Sequence, residues 1–169
     1  MAELSSPDSP HSRIVECLPD DLPAIHSILQ RSPEASTWSL HSLAEARSRQ
    51  PSNFLVSRNQ QVIEGFIFGC LSATEAEILN VAVDPAFRRK GIGSLLIREL
   101  LHRFATAGAK GIFLEVRPSN VPAITLYQRF GFQQIGERPG YYRDPVESAL
   151  VLRRSSVTSF RNSGKLPYR

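Results

Sequence analysis

Asp84-Pro85-Ala86-Phe87-Arg88-Arg89-Lys90-Gly91-Ile92-Gly93-Ser94 stands between an apolar run ending Leu79-Asn80-Val81-Ala82-Val83 and a stretch from Leu95 onward with helically spaced apolar residues. The order is strand, turn, helix, and the first turn of the helix is rich in glycine and base. A helix start offers backbone N–H groups without intrahelical acceptors and the positive end of the helix dipole, a combination that holds phosphate. Gly91 and Gly93 remove Cβ atoms where an anion would approach, and Arg88, Arg89 and Lys90 add charge at its edge. A ligand carrying a pyrophosphate is therefore expected on Arg88 to Ser94, Ile92 included. The spacing Arg88-x-x-Gly91-x-Gly93 lacks the third glycine of a dinucleotide fingerprint and the Gly-Lys-Ser/Thr end of a P-loop. Neither nucleotide motif fits.

Downstream of this turn, Ile92, Leu95, Leu96, Leu100 and Phe104 form a core-facing stripe that predicts a helix from about Gly91 to Ala107, closed by Gly108. Gly111 to Val116 reads as a strand, Asn120 as the cap of a short helix to about Arg129, and Gly131 as its left-handed terminator. Phe132 to Glu137 and Ser148 to Arg153 read as late strands. Upstream, Ile14 to Cys17 is a short strand, and Asp20 or Asp21 caps a helix with Leu22, Ile25, Ile28 and Leu29 on its apolar face. Ser39 caps a second helix to about Arg49, which Pro51 ends. Asn53 to Arg58 and Val62 to Leu71 form a hairpin about an Asn59-Gln60 turn, and Ala76 to Val83 follows as a third strand. The fold class is α/β (α+β): a mixed central sheet of about seven strands with about four helices packed on it.

At 169 residues and 41% hydrophobic, the chain can bury one sizeable core. Its organisation is a flexible N-terminal extension over residues 1–13, a domain over 14–154 and a flexible basic tail over 155–169. The formal charge is +4, but Arg153, Arg154, Arg161, Lys165 and Arg169 lie in an end segment without acids. Without those five, 15 bases face 16 acids, so the body is nearly neutral. The basic end is either a solvated tail or a segment that touches nucleic-acid phosphates. Cys17 and Cys70 have no paired spacing, which points to free thiols in a reducing cytosol. No segment holds 18 uninterrupted apolar residues and the first residues are polar, so neither membrane insertion nor secretion is expected, and the location is cytoplasmic. His11, His26, His41 and His102 lack metal-ligand spacing, and no metal is expected.

Glu115 interrupts the apolar strand Gly111-Ile112-Phe113-Leu114-Glu115-Val116. An unpaired carboxylate there is costly, so it either forms an ion pair, with Arg117 the partner at hand, or reaches a cleft. Tyr127 follows on the short helix, where a tyrosine is ordinarily core or rim. Beside a phosphate cradle the two make a set in which one group removes a proton and another supplies one.

Val81-Ala82-Val83-Asp84-Pro85, Arg88-Arg89-Lys90-Gly91-Ile92-Gly93, Leu114-Glu115-Val116-Arg117-Pro118-Ser119-Asn120, and Ala123-Ile124-Thr125-Leu126-Tyr127 with Phe130-Gly131-Phe132 together resemble the GNAT acetyltransferases. Among them the pattern is nearest to the RimI-type ribosomal-protein-alanine N-acetyltransferases, over roughly residues 14–153. The resemblance implies acetyl transfer from acetyl-CoA to an amine, with the CoA pyrophosphate on backbone N–H groups from Arg89 to Ser94. It implies that Val81, Ala82 and Val83 line the acetyl-pantetheine arm in a strand that splays from Gly111 to Val116, and that Asn120 contacts the same arm. Glu115 matches the family's general base and Tyr127 its general acid. Trp38 with Ser39 is similar to a Trp-Ser on one lip of the acceptor site. Tyr141-Tyr142, with the following stretch to Ala149, is similar to the substrate-side hairpin, although Ser148 stands where the family often carries Asp.

The chemistry of the acceptor favours a protein N-terminus, with a ribosomal protein as the implied partner. Deprotonating an α-amine at pH 7 costs about 1 kcal/mol against about 4.6 for a lysine, so one carboxylate suffices more readily for the former. Two other readings stay open: acetylation of lysine or a small amine, and a non-catalytic acetyl-CoA-binding module. Retention of both Glu115 and Tyr127 speaks against the last.

Overall fold

The alternation of apolar residues along the strands sorts side chains onto two faces of one sheet, and each face has its own core. In the computed structural model, which describes residues 12–155, seven strands and four α-helices follow in the order β1 (Arg13–Glu16), α1 (Leu22–Gln30), α2 (Leu40–Arg49), β2 (Phe54–Asn59), β3 (Val62–Ser72), β4 (Glu75–Val83), α3 (Ile92–Thr106), β5 (Gly111–Val116), α4 (Val121–Arg129), β6 (Gln133–Arg143) and β7 (Val146–Ser155). The sheet order is β1-β2-β3-β4-β5-β7-β6. Only β4 and β5 run parallel, joined through α3; the other neighbours are antiparallel. The mixed sheet expected from the sequence is thus observed.

On one face Leu96, Leu100 and Phe104 of α3 pack with Leu55, Ile67, Ile112, Leu114 and Tyr127. On the other, Ile25 and Ile28 of α1 and Leu43 of α2 pack with Phe54, Val56, Phe66 and Phe68. The Phe54 and Phe68 rings meet at 5.1 Å in a tilted arrangement, within the range aromatic pairs prefer.

Several boundaries move for identifiable reasons. Asp21 precedes α1 but does not cap it with its side chain. Its carboxylate instead accepts the Leu18 N–H at 2.8 Å and takes both oxygens to the Arg58 guanidinium at 2.7 Å, which neutralises a side chain only 6% exposed. The first hairpin turns at Gln60 and Gln61 rather than Asn59 and Gln60, with Gln60 in the left-handed region at φ 54°. Strands β6 and β7 are longer at the hairpin end than the apolar pattern indicates, because β6 is an exposed edge with no core face to print alternation into its sequence. Of the five end-segment bases, Arg153 and Arg154 belong to β7, in keeping with a domain that runs to residue 154: Arg153 lies 5.4 Å over the Phe113 ring, and burial lowers the Arg154 pKa. The remaining bases of the end segment, Arg161, Lys165 and Arg169, lie outside the described residues, as do His11 and most of the N-terminal extension.

Candidate active site

Strands β4 and β5 are register partners only from Glu75↔Gly111 to Ile78↔Leu114. One residue later a bulge interrupts β4: Phe68 pairs with Asn80 and Gly69 with Ile78, leaving Leu79 as the extra residue. From there β4 continues along β3 while Glu115 and Val116 continue along β7, so Leu79 to Val83 and the end of β5 no longer bond to each other. A gap opens in the middle of the sheet. Val81 and Val83 pack toward the α3 core and Ala82 toward the other. Asn80, buried at the bulge, donates to the Ser36 carbonyl at 3.0 Å and so ties the loop between α1 and α2 to this gap.

The end of β4 leads into the glycine-rich turn. Asp84 accepts the Ala86 N–H at 3.0 Å and pairs with Arg31. Arg89 has φ 63° and Gly91 φ 82°, so the chain passes twice through the left-handed region just before α3. A Cβ on Gly91 would meet nothing within 4 Å, whereas one on Gly93 would come within 3.3 Å of Leu126 on α4. Gly91 is therefore needed for its backbone angle and Gly93 for helix packing, a division that the spacing alone did not reveal. Arg88 is engaged elsewhere: it donates to the Val83 carbonyl and to Ser32, both at 3.0 Å, and pairs with Glu34 at 2.6 Å. Arg89 and Lys90 stay exposed at the rim, Lys90 lying 5.1 Å over the Phe87 ring. The first-turn N–H groups of α3, which have no intrahelical acceptors, could hold an anion at this turn.

Glu115 points to the sheet face opposite α3, because Ile112, Leu114 and Val116 occupy the α3 core at alternate positions. Its partner is not Arg117. Arg138 of β6 forms an ion pair with Glu115, its Nε standing 2.8 Å from Glu115 Oε1. Tyr141 interacts with this carboxylate, whose accepting oxygens favour the protonated phenol and, together with burial, push it up to about 12. Arg117 stands just past the end of β5 and reaches the tip of the β6–β7 hairpin instead. It bonds to the Asp144 carbonyl at 3.0 Å, the Pro145 carbonyl at 3.2 Å and Glu147 at 3.2 Å, and it stacks 4.0 Å over Tyr142. Glu147 in turn accepts the Ser119 N–H at 2.7 Å and hydroxyl at 2.9 Å; these bonds and Arg117 hold its carboxyl below the usual range. The carboxylate at this hairpin is thus Glu147, one residue before Ser148.

Two cavities share Cys70 on this face. One, of about 290 Å³, is lined by Glu75, Glu77, Phe113, Glu115 and Arg138. The other, of about 430 Å³, has Trp38, Phe68 and Leu79 with Glu45 and Arg49. Trp38 sits edge-on to Phe68 at 5.7 Å, so it both packs and lines the second cavity.

Tyr127 lies across the sheet, on α4, whose N-terminus Asn120 caps by accepting the Ala123 N–H at 3.2 Å. Its ring meets Phe132 edge-on at 5.9 Å. Burial raises the phenol pKa, so its proton is retained throughout the working pH range. Glu115 and Tyr127 are therefore not side by side; the gap beyond Ile78 and Leu114 is what joins their two faces. Cys17 and Cys70 are free thiols whose pKa values burial raises, that of Cys17 to about 12, opposite to the needs of a nucleophile. Among the described residues no group of three or more His, Cys, Asp or Glu is placed to hold a metal ion, and no helix is long and apolar enough to cross a membrane.

The family model described as acetyltransferase (GNAT) family matches residues 20–132. The chain belongs to the GNAT acetyltransferases. The ribosomal protein bS18-alanine N-acetyltransferase of Escherichia coli K12 is a relative 34% identical over 134 residues, covering 78% of this chain and 89% of that protein. The solved structure of the Escherichia coli ribosomal-protein-S18-alanine N-acetyltransferase superposes with a TM-score of 0.75 at 29% identity, covering 90% of this chain and 98% of the other. Ard1 from Thermoplasma volcanium superposes with a TM-score of 0.80 at 32% identity, covering 85% and 97%.

In this acetyltransferase the gap has Val81 and Val83 on its α3 side and Glu115 on its opposite side, the Tyr141 phenol being shifted by that carboxylate. Three residues that matter to the site's charge escape the sequence reading: Glu77, Arg138 and Glu147. Glu77 carries a weaker form of the Glu115 signal, a carboxylate within a mainly apolar strand that also holds Glu75 and Asn80. Arg138 and Glu147 carry none, since both sit in the exposed hairpin.

Proposed function

We propose that the acetyltransferase moves acetyl from acetyl-CoA to the N-terminal α-amine of a protein by direct transfer, an N-terminal alanine of a ribosomal protein being the leading acceptor. The observation that carries this reading is the end of β4–β5 pairing at Ile78↔Leu114, with a carboxylate on one side of the opening and a buried phenol on the other. The acceptor named for the Escherichia coli relative supports the choice of alanine.

The residues fit the donor. The cradle is open above Gly91, where even a Cβ would meet nothing within 4 Å, and apolar Val81 and Val83 flank the gap beneath it. Arg89 to Ser94 would hold the pyrophosphate through backbone N–H groups, with Arg89 and Lys90 as surface charge. Asn120 turns its carbonyl oxygen to the α4 cap and keeps its amide nitrogen for the pantetheine arm. Acetyl-CoA bound there supplies the acetyl thioester.

Glu115 takes a proton from the acceptor's α-ammonium, freeing the lone pair that attacks the thioester carbonyl. A carboxylate has four lone-pair sites, so Glu115 can accept that proton while still paired with Arg138. Tyr127 keeps its proton at Oη and presents it to the departing sulfur from the other side of the gap. Trp38, Tyr141 and Tyr142 frame the acceptor. The test offers the enzyme peptides with free or blocked N-termini, some containing lysine, and locates the acetyl group by fragmentation mass spectrometry. Label on the free α-amine is expected; label confined to lysine side chains would overturn the proposal.

A further inference from the structure

Arg138 presents a problem of charge. Its side chain is 63% exposed, while the Glu115 it binds is only 14% exposed, so a guanidinium already stands where an incoming ammonium must come. Like charges at one carboxylate repel, and a single carboxylate cannot neutralise both. Glu77 lies in the same cavity. It sits on β4 beside Phe113 in the parallel register, two residues before Glu115 along β5. Among the described residues its carboxylate forms neither an ion pair nor a hydrogen bond, whereas Asp84 has Arg31, Glu115 has Arg138 and Glu147 has Arg117; Glu75, the other carboxylate of the cavity without such a partner, stands opposite Gly111 at the far end of the β4–β5 pairing.

We propose that Glu77 is the second carboxylate of the acceptor site, a positioning residue that supplies the negative charge Arg138 withdraws from Glu115 and so lets the acceptor's ammonium bind beside the guanidinium. With the acceptor in place, two cations face two carboxylates. Without Glu77 they face one. The charged and titratable groups around Glu77 are Cys70, its register partner on β3, Glu75 on its own strand, Glu115 on β5 and Arg138 on β6. Burial, then the Glu115 charge, raises the Glu77 pKa and Arg138 lowers it. The three groups therefore already interact through space. This inference rests on Glu115 facing the acceptor.

The experiment is a double-mutant cycle of Glu77→Gln and Arg138→Gln on the full chain, read as KM for the acceptor, KM for acetyl-CoA, and kcat. It uses an acceptor amine that the parent enzyme turns over, whether an alanine-terminated peptide or a lysine peptide. Glu77→Gln is expected to raise acceptor KM about tenfold, with kcat and the acetyl-CoA KM within about twofold. In the Arg138→Gln background the same substitution should cost about twofold or less, because Glu115 is then free to hold the ammonium alone. Glu77→Asp, which keeps the charge and changes the length, should lie nearer to the parent than Glu77→Gln does. An unchanged acceptor KM in Glu77→Gln, or an equal rise in both backgrounds, overturns the inference. Turnover of lysine peptides alone overturns the N-terminal acceptor and leaves the cycle to be run on lysine. Release of CoA with neither acceptor overturns both.

Discussion

Ile78 and Leu114 are the last residues at which β4 and β5 stand in register, and the extra residue that follows, Leu79, sends β4 along β3 and away from its parallel neighbour. The opening in the sheet thus comes from one added residue in one strand. Everything the proposed chemistry requires is hung on it: the cradle at the end of β4, the carboxylate at the end of β5, and the phenol of the helix that follows β5.

Gly69 stands opposite Ile78 at that bulge. A Cβ there would fall 2.6 Å from the Glu77 carbonyl oxygen and 2.7 Å from Phe104 Cζ, and backbone cannot give way as a side-chain tip can. Gly69→Ala is expected to destabilise the protein by about 1–3 kcal/mol, seen as a lower denaturation midpoint at unchanged slope. A variant as stable as its parent would mean that β3 and β4 are free to part at this point.

The sheet and its helices were legible because their signals are local. Asn120 caps, Gly108 and Gly131 terminate with φ 86° and 83°, and β5 falls on Gly111–Val116 as the apolar run predicts. The charge network was less legible because its members are distant in sequence. Glu115 pairs with a residue 23 positions on, in an edge strand whose polar residues follow no pattern. Arg117 was expected beside Glu115 from proximity along the chain, yet the strand ends between them and Arg117 turns to the hairpin tip. The roles of Gly91 and Gly93 likewise depend on backbone angle and on packing against Leu126, neither of which spacing encodes.

Gly91 separates the two demands on the cradle. Its φ of 82° makes Gly91→Ala cost about 1–2 kcal/mol of stability, but the added methyl meets no atom within 4 Å, so affinity for CoA should change little. Gly91→Asp adds a negative charge beside the proposed pyrophosphate and should weaken CoA binding at least tenfold. Calorimetric titration of both variants with CoA checks this. Equal affinity in Gly91→Asp and the parent would displace the pyrophosphate from this turn.

Asp84 gives a pH signature. Burial raises its pKa, but the Ala86 N–H and Arg31 outweigh burial and leave the folded-state value below the ordinary one. A group depressed in this way stabilises the fold above its unfolded pKa of about 3.9, and the contribution disappears as pH falls through the folded-state value. The Tm difference between the parent and Asp84→Asn should be constant above about pH 5 and shrink below about pH 4. A difference independent of pH down to pH 2 would show that the carboxylate charge contributes nothing.

Tyr127 is the residue on which the direct-transfer chemistry depends most. Removal of its hydroxyl leaves the ring free to keep its edge-on contact with Phe132 at 5.9 Å, and among the described residues no hydrogen bond to that hydroxyl is lost. Tyr127→Phe should therefore fold and melt like its parent. It should also bind acetyl-CoA with nearly the same affinity, since the cradle around Gly91 is untouched. What it loses is the proton donor on the α4 side of the gap, and general-acid assistance of this kind is worth about 10²–10⁴ in rate. The expected result is a fall of that size in kcat with acetyl-CoA affinity and Tm preserved. Because burial holds the phenol protonated, the alkaline limb of the pH–rate profile should not reflect Tyr127 ionisation below about pH 10. Unchanged turnover in the phenylalanine variant would leave Glu115 as the sole proton-transfer group and assign the sulfur's proton to the acceptor amine itself.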